Sequence, residues 1–69
     1  MIVYERLWKT MAQKNITTYQ LINKYHISKG QIDRLKRNTN IEMNTVNNLC
    51  RILKCKIEDI AEYIDDECV

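Results

Sequence analysis

The stretch ITTYQLINKYHISKGQIDRLKRN, residues 16–38, carries two helix starts eleven residues apart. Thr17 is followed three residues later by Gln20, and Ser28 three residues later by Gln31. Each pair has the form of a capping box, in which the hydroxyl accepts from the third backbone N–H and the amide side chain reaches back to the cap. A helix is therefore expected to begin at Thr18, and its apolar positions, Leu21, Ile22 and Tyr25, run out near residue 25. A further helix over residues 29–37 follows with only a tight turn between them. His26 is the expected pivot of that turn, because the corner needs positive φ and histidine is one of the few non-glycine residues enriched there. Its role is conformational rather than catalytic, since no nucleophile or carboxylate is placed by sequence to work with it.

On the helix over 29–37, Ile32 and Leu35 point to one side. Gly30, Asp33, Arg34 and Arg37 point to the other, with Lys29 on its flank. A surface helix gains nothing from glycine, which costs about 1 kcal/mol relative to alanine in a helix interior. In the first turn and facing outward, it permits close backbone approach by a partner. A basic helix alone is weak evidence of such a partner; the capped helix and tight turn before it make the pattern specific.

Working outward, Tyr4, Leu7, Trp8 and Met11 repeat at helical spacing and predict a first helix over roughly 3–14, left through Asn15 in the left-handed conformation. Ile2 and Val3 before it are strand-like. Met43, Val46, Leu49, Cys50 and Leu53 predict a fourth helix with Asn44 as its cap, and Cys50 is expected in the core. Ile57, Ile60, Ala61 and Ile64 predict a fifth, with Glu58 and Asp59 in a first turn where the macrodipole favours acids. The acidic tail, residues 65–69, is expected to be flexible.

The chain has 69 residues, enough for a single small domain, 1–69, with a thin core. It is 45% hydrophobic and 29% charged, with no proline and one glycine, which fits an all-α fold better than a turn-rich sheet or a disordered segment. Residues 1–40 hold eight Lys/Arg against two acids, and the rest hold three against seven, so the front half is suited to face a polyanion. No apolar run is long enough to span a bilayer and no export signal is visible, so a soluble, cytoplasmic protein is expected. No catalytic residues, paired carboxylates, triad or phosphate loop can be picked out, which argues against an enzyme, and no cofactor is implied. Cys50, Cys55 and Cys68 are odd in number and form no CxxC pair, so neither a disulfide framework nor a metal site is indicated.

With the continuation NTVNNLCRILKCKIEDIAEYI, residues 44–64, the opening stretch resembles the Cro-type, lambda-repressor-like helix-turn-helix family. The resemblance rests on apolar residues at the motif's fixed points, here Leu21, Tyr25, Ile27, Ile32 and Leu35, and extends from Leu7 to Ile64. Two positions depart from the family pattern: Ile22 stands where alanine is usual, and His26 replaces the turn glycine. The resemblance implies a compact five-helix DNA-binding domain whose second and third helices form the helix-turn-helix. The third would lie in the major groove of double-stranded DNA. It places Lys29, Gly30, Asp33 and Arg34 at base edges. It also places Thr17 and Thr18, together with Lys36, Arg37 and Asn38, at backbone phosphates. It further implies a transcriptional regulator acting as a homodimer on a palindromic operator. Two alternatives stay open: an antitoxin-like module that binds a protein partner, and a thiol-based redox sensor with DNA binding as its output.

Overall fold

The computed structural model describes residues 1–65. Along the chain run β1 (Ile2–Val3), α1 (Glu5–Gln13), α2 (Thr18–Asn23), α3 (Lys29–Lys36), α4 (Met43–Leu53), a 3-10 turn (Ile57–Asp59) and β2 (Glu62–Tyr63). The fold is a small helical domain of four α-helices, closed at one edge by an antiparallel pairing of β1 with β2 in which Ile2 faces Tyr63 and Val3 faces Glu62. Leu7, Leu21, Leu35, Leu49, Leu53 and Ile60 are fully buried, one or two from each of the four helices and one from just past the 3-10 turn. Each buried side chain of this size stabilises the fold by about 1.5–3 kcal/mol relative to exposure. Tyr4, Met11, Ile27 and Ile32 complete the cluster, and Trp8, Ile22, Tyr25 and Cys50 pack half-buried against it. Among the described residues no helix is long and apolar enough to cross a membrane.

Several sequence expectations hold at the level of single residues. Asn15 exits α1 with φ 57°, His26 turns the corner between α2 and α3 with φ 61°, and Ile2–Val3 is a strand. Others are corrected. The fifth helix does not form: its segment is a 3-10 turn followed by β2, because β1 supplies a backbone partner that a helix would forgo. The Asp59 carboxylate accepts from the Lys56 N–H at 3.1 Å and tightens the turn. Of the stripe proposed for that helix only Ile60 is fully buried, while Ile57 is 51% and Ile64 44% exposed. The first helix begins at Glu5, two residues later than expected, because Ile2 and Val3 are held in the sheet. Asn44 does not cap α4; Glu42 occupies the cap, and its side chain makes no capping bond. The second capping box is half made: Ser28 Oγ accepts from the Gln31 N–H, but Gln31 turns away, leaving its Oε1 buried without a partner. Of the tail, residues 66–69 lie outside the described residues.

Candidate nucleic-acid interface

The geometry of α2 and α3 is fixed by local bonds at each end. Thr17 Oγ1 accepts from the Gln20 N–H at 3.2 Å and Gln20 Oε1 accepts from the Thr17 N–H at 2.9 Å, so the complete capping box starts α2. Past Asn23 the chain winds tightly: the Lys24 and Tyr25 amides both donate to Gln20 O, and Ile27 N–H donates back to Leu21 O at 2.9 Å. His26 in the left-handed region reverses the direction, and buried Ile27 pins the turn to the core. Ser28 then caps α3 at 3.2 Å, a bond whose loss typically costs about 1 kcal/mol.

The far end of α3 is tied to the start of α1. Asn38 is left-handed, φ 54°, and the following Thr39 closes the helix by donating both its N–H and its hydroxyl to Arg34 O, at 2.9 and 3.1 Å. Tyr4 clamps this corner: its N–H donates to Asn38 Oδ1 and its hydroxyl to Thr39 O, each at 3.0 Å. Burial lifts the Tyr4 hydroxyl above the usual phenol range, so it stays a neutral donor. With Ile32 and Leu35 buried beneath, α3 is fixed along its whole length and presents its other side outward.

On that side Lys29, Gly30, Asp33 and Arg34 are all exposed, as are Lys36 and Arg37. Asp33 and Arg37 form an ion pair one turn apart with both side chains more than half exposed; a pair so exposed contributes at most about 1 kcal/mol and serves to orient the guanidinium. Asn38 is half-buried with its Oδ1 committed to Tyr4, which leaves its amide Nδ2 as the group open to an external acceptor. Thr17 is exposed but its hydroxyl is engaged as the cap, and Thr18 is half-buried in the first turn of α2, where backbone N–H groups lack intrahelical acceptors. Next to it Tyr19 is 73% exposed, an aromatic that apolar spacing passes over because it matches neither the core stripe nor a charge pattern.

Gly30 is set apart by its surroundings. Its φ is not positive, and a Cβ added there would meet only Ser28 Oγ, at 3.9 Å. Meanwhile Asn15, His26, Asn38 and Lys54 take left-handed conformations without being glycine. Nothing inside the domain needs the chain's single glycine at that position.

Cys50 and Cys55 are half-buried at the end of α4, where Cys55 N–H donates to Cys50 O at 3.1 Å. Burial, followed by the neighbouring Cys50 and Asp59, pushes the Cys55 thiol up, opposite to the shift that activates a sensor thiolate. Cys68 lies outside the described residues. Among the described residues no three His, Cys, Asp or Glu side chains are grouped to hold a metal ion.

Against known proteins, a family model described as a Cro/C1-type HTH DNA-binding domain matches residues 6–66. No curated protein matches the chain. Among solved structures the chain is similar to one described as the crystal structure of transcriptional regulator VanUg, form II. The TM-score is 0.84 and the identity 25%, and the match covers 91% of this chain and 84% of that one.

Proposed function

Since the chain belongs to the Cro/C1-type helix-turn-helix DNA-binding domain family, we propose that it is a sequence-specific transcriptional regulator. In this reading it acts in the cytoplasm as a homodimer on a palindromic operator, with α3 in the major groove. Gly30 carries this reading. A helix that only met water would gain from a side chain there, whereas a helix laid against base edges gains from its absence. Lys29 and Arg34 have the chemistry to donate to guanine O6 and N7, and Asp33 can accept from cytosine N4 when it is not holding Arg37. Lys36, Arg37 and the Asn38 amide are suited to phosphates beyond the reading residues. At the other flank, beside Thr17, the first-turn amide of α2 at Thr18, with the helix dipole, favours a phosphate oxygen. Tyr19 adds a hydroxyl donor beside them.

Gly30→Ala separates folding from binding. The substitution should raise stability by about 0.4–1 kcal/mol, as at other helical sites that accept a Cβ without strain, and it should weaken DNA binding. Thermal unfolding followed by circular dichroism, with titration of a fluorescent duplex on the same preparations, measures both. A variant that melts higher and binds DNA as well as the wild type would show that the glycine is not there to admit a partner.

Lys36→Ala tests the electrostatic half of the reading. One lost phosphate contact releases one fewer counterion, so the plot of log affinity against log salt concentration should flatten by about one unit. The loss should be the same on specific and on scrambled duplexes. Loss confined to one sequence would move Lys36 from the backbone to the bases.

A further inference from the structure

Cys50 and Cys55 meet at the end of α4. Lys54, just before Cys55, is left-handed with φ 51°, and the Cys55 N–H donates to Cys50 O at 3.1 Å. A helix that closes in this way folds the residue after the left-handed position back over the last turn, and the two bonded residues then commonly touch through their side chains. Here both are cysteine. The Cys50 thiol accordingly acts on Cys55 through its charge and through a side-chain hydrogen bond. Both side chains are half-buried against the core, so an edge of each stays open to a small reagent.

The backbone bond also bounds the distance between the two residues. With standard bond lengths and the usual bend at the donor nitrogen, it holds the two Cα atoms within about 6.5 Å of each other. A disulfide spans Cα separations of about 4.4–6.8 Å. The two cysteines can therefore be joined without moving the backbone. Their spacing in sequence matches no redox or metal motif; the left-handed Lys54 is what brings them together.

We propose that Cys50 and Cys55 form a thiol–disulfide exchange site whose reactant is a low-molecular-weight disulfide of the glutathione type. One protein thiolate attacks a sulfur of the small disulfide, forming a mixed disulfide and releasing one small thiolate. The other then attacks the protein sulfur of the mixed disulfide, closing the Cys50–Cys55 bond and releasing the second small thiolate. The protein pair is oxidised, the small disulfide is reduced, and the two protons that leave the protein thiols are taken up by the released thiolates. Burial, which lifts the Cys55 thiol, makes the exchange slow, so the pair follows a sustained change in the surrounding disulfide ratio rather than a brief pulse. The bond ties the last turn of α4 to the connector that leads through the 3-10 turn to β2, and so braces the edge where the sheet closes the domain. The site stands whether or not α3 reads DNA.

Equilibration of the full chain in glutathione buffers of graded ratio, followed by acid quenching, alkylation, tryptic digestion and mass spectrometry, tests it. Trypsin cuts after Arg37, Arg51, Lys54 and Lys56, so the bond should hold residues 38–51 and 55–56 together as one peptide, separate from residues 57–69, which carry Cys68. The wild type and Cys68→Ser should both yield this linked peptide. Cys50→Ser and Cys55→Ser should not, with circular dichroism as the check that they fold; the wild-type result stands without them. The native chain should keep the bond in a buffer at least about tenfold more reducing than the same chain in urea does, because the fold already holds the two sulfurs together. A native pair no more readily oxidised than the denatured one would overturn the proposal, as would glutathione adducts or links to the Cys68 peptide in place of the linked 38–51 and 55–56 peptide.

Discussion

Leu35→Ala is expected to remove most of the domain's stability. Leu35 is fully buried on the inner side of α3 within the central cluster. Truncating such a leucine costs about 2–5 kcal/mol through lost transfer energy and the cavity left behind. A core of this size supplies a net stability of only about 3–5 kcal/mol unless something else supports it. Each kcal/mol lowers the melting temperature of a 60–100-residue domain by about 4–8 °C, so the midpoint should fall by about 8 °C at the least. Because Leu35 and Ile32 seat the reading helix, DNA binding should fail in step with folding. A thermal melt by circular dichroism decides the matter; a midpoint within a few degrees of the wild type would mean that α3 is not packed as described.

Arg34→Ala should leave the fold intact and remove discrimination. Arg34 is exposed, and its backbone carbonyl, not its side chain, closes the helix against Thr39. A bidentate arginine contact to guanine is worth about 1–3 kcal/mol of discrimination against the wrong base. Affinity for the preferred duplex should drop by that amount, while affinity for scrambled duplex changes little beyond the loss of one charge. Lys36→Ala should do the opposite, weakening both alike. Fluorescence titrations of both variants on both duplexes, at several salt concentrations, distinguish the roles. Equal losses on the two duplexes for Arg34→Ala would make this arginine a backbone clamp.

The helix-turn-helix was legible in the sequence because its determinants are local. Thr17 and Gln20 bond across one turn, Ser28 reaches an amide three residues on, and His26 needs only its own backbone preference. The Asp33–Arg37 pair follows from helical spacing alone. The misreadings are non-local. Ile57, Ile60, Ala61 and Ile64 have helical spacing, but in so short a segment spacing does not separate a helix from a turn followed by a strand. What decides is β1, some sixty residues away, where Ile64 N–H donates to Met1 O at 2.8 Å. Arg6, bonded to Glu58 O and paired with Glu62 at 2.6 Å, and Thr10, donating to Asp59 O at 2.8 Å, fasten that segment to α1. No pattern within the segment signals these bonds. The same holds for Asn38, whose type suits a phosphate contact but whose oxygen is drawn inward by the Tyr4 amide. On α3 itself the exposed residues were legible from the wheel, since Ile32 and Leu35 leave only one way for the helix to face.

Selection of bound sequences from a pool of random duplex DNA, run in parallel on the wild type and Arg34→Ala, tests the central claim that α3 reads the major groove. The wild type should enrich a short motif repeated with two-fold symmetry, its half-sites about one helical turn apart. Arg34→Ala should return the same symmetric motif with the preference lost at one position in each half. A folded wild type that enriches no sequence over the input pool would contradict it, leaving α3 at most a basic surface for any polyanion.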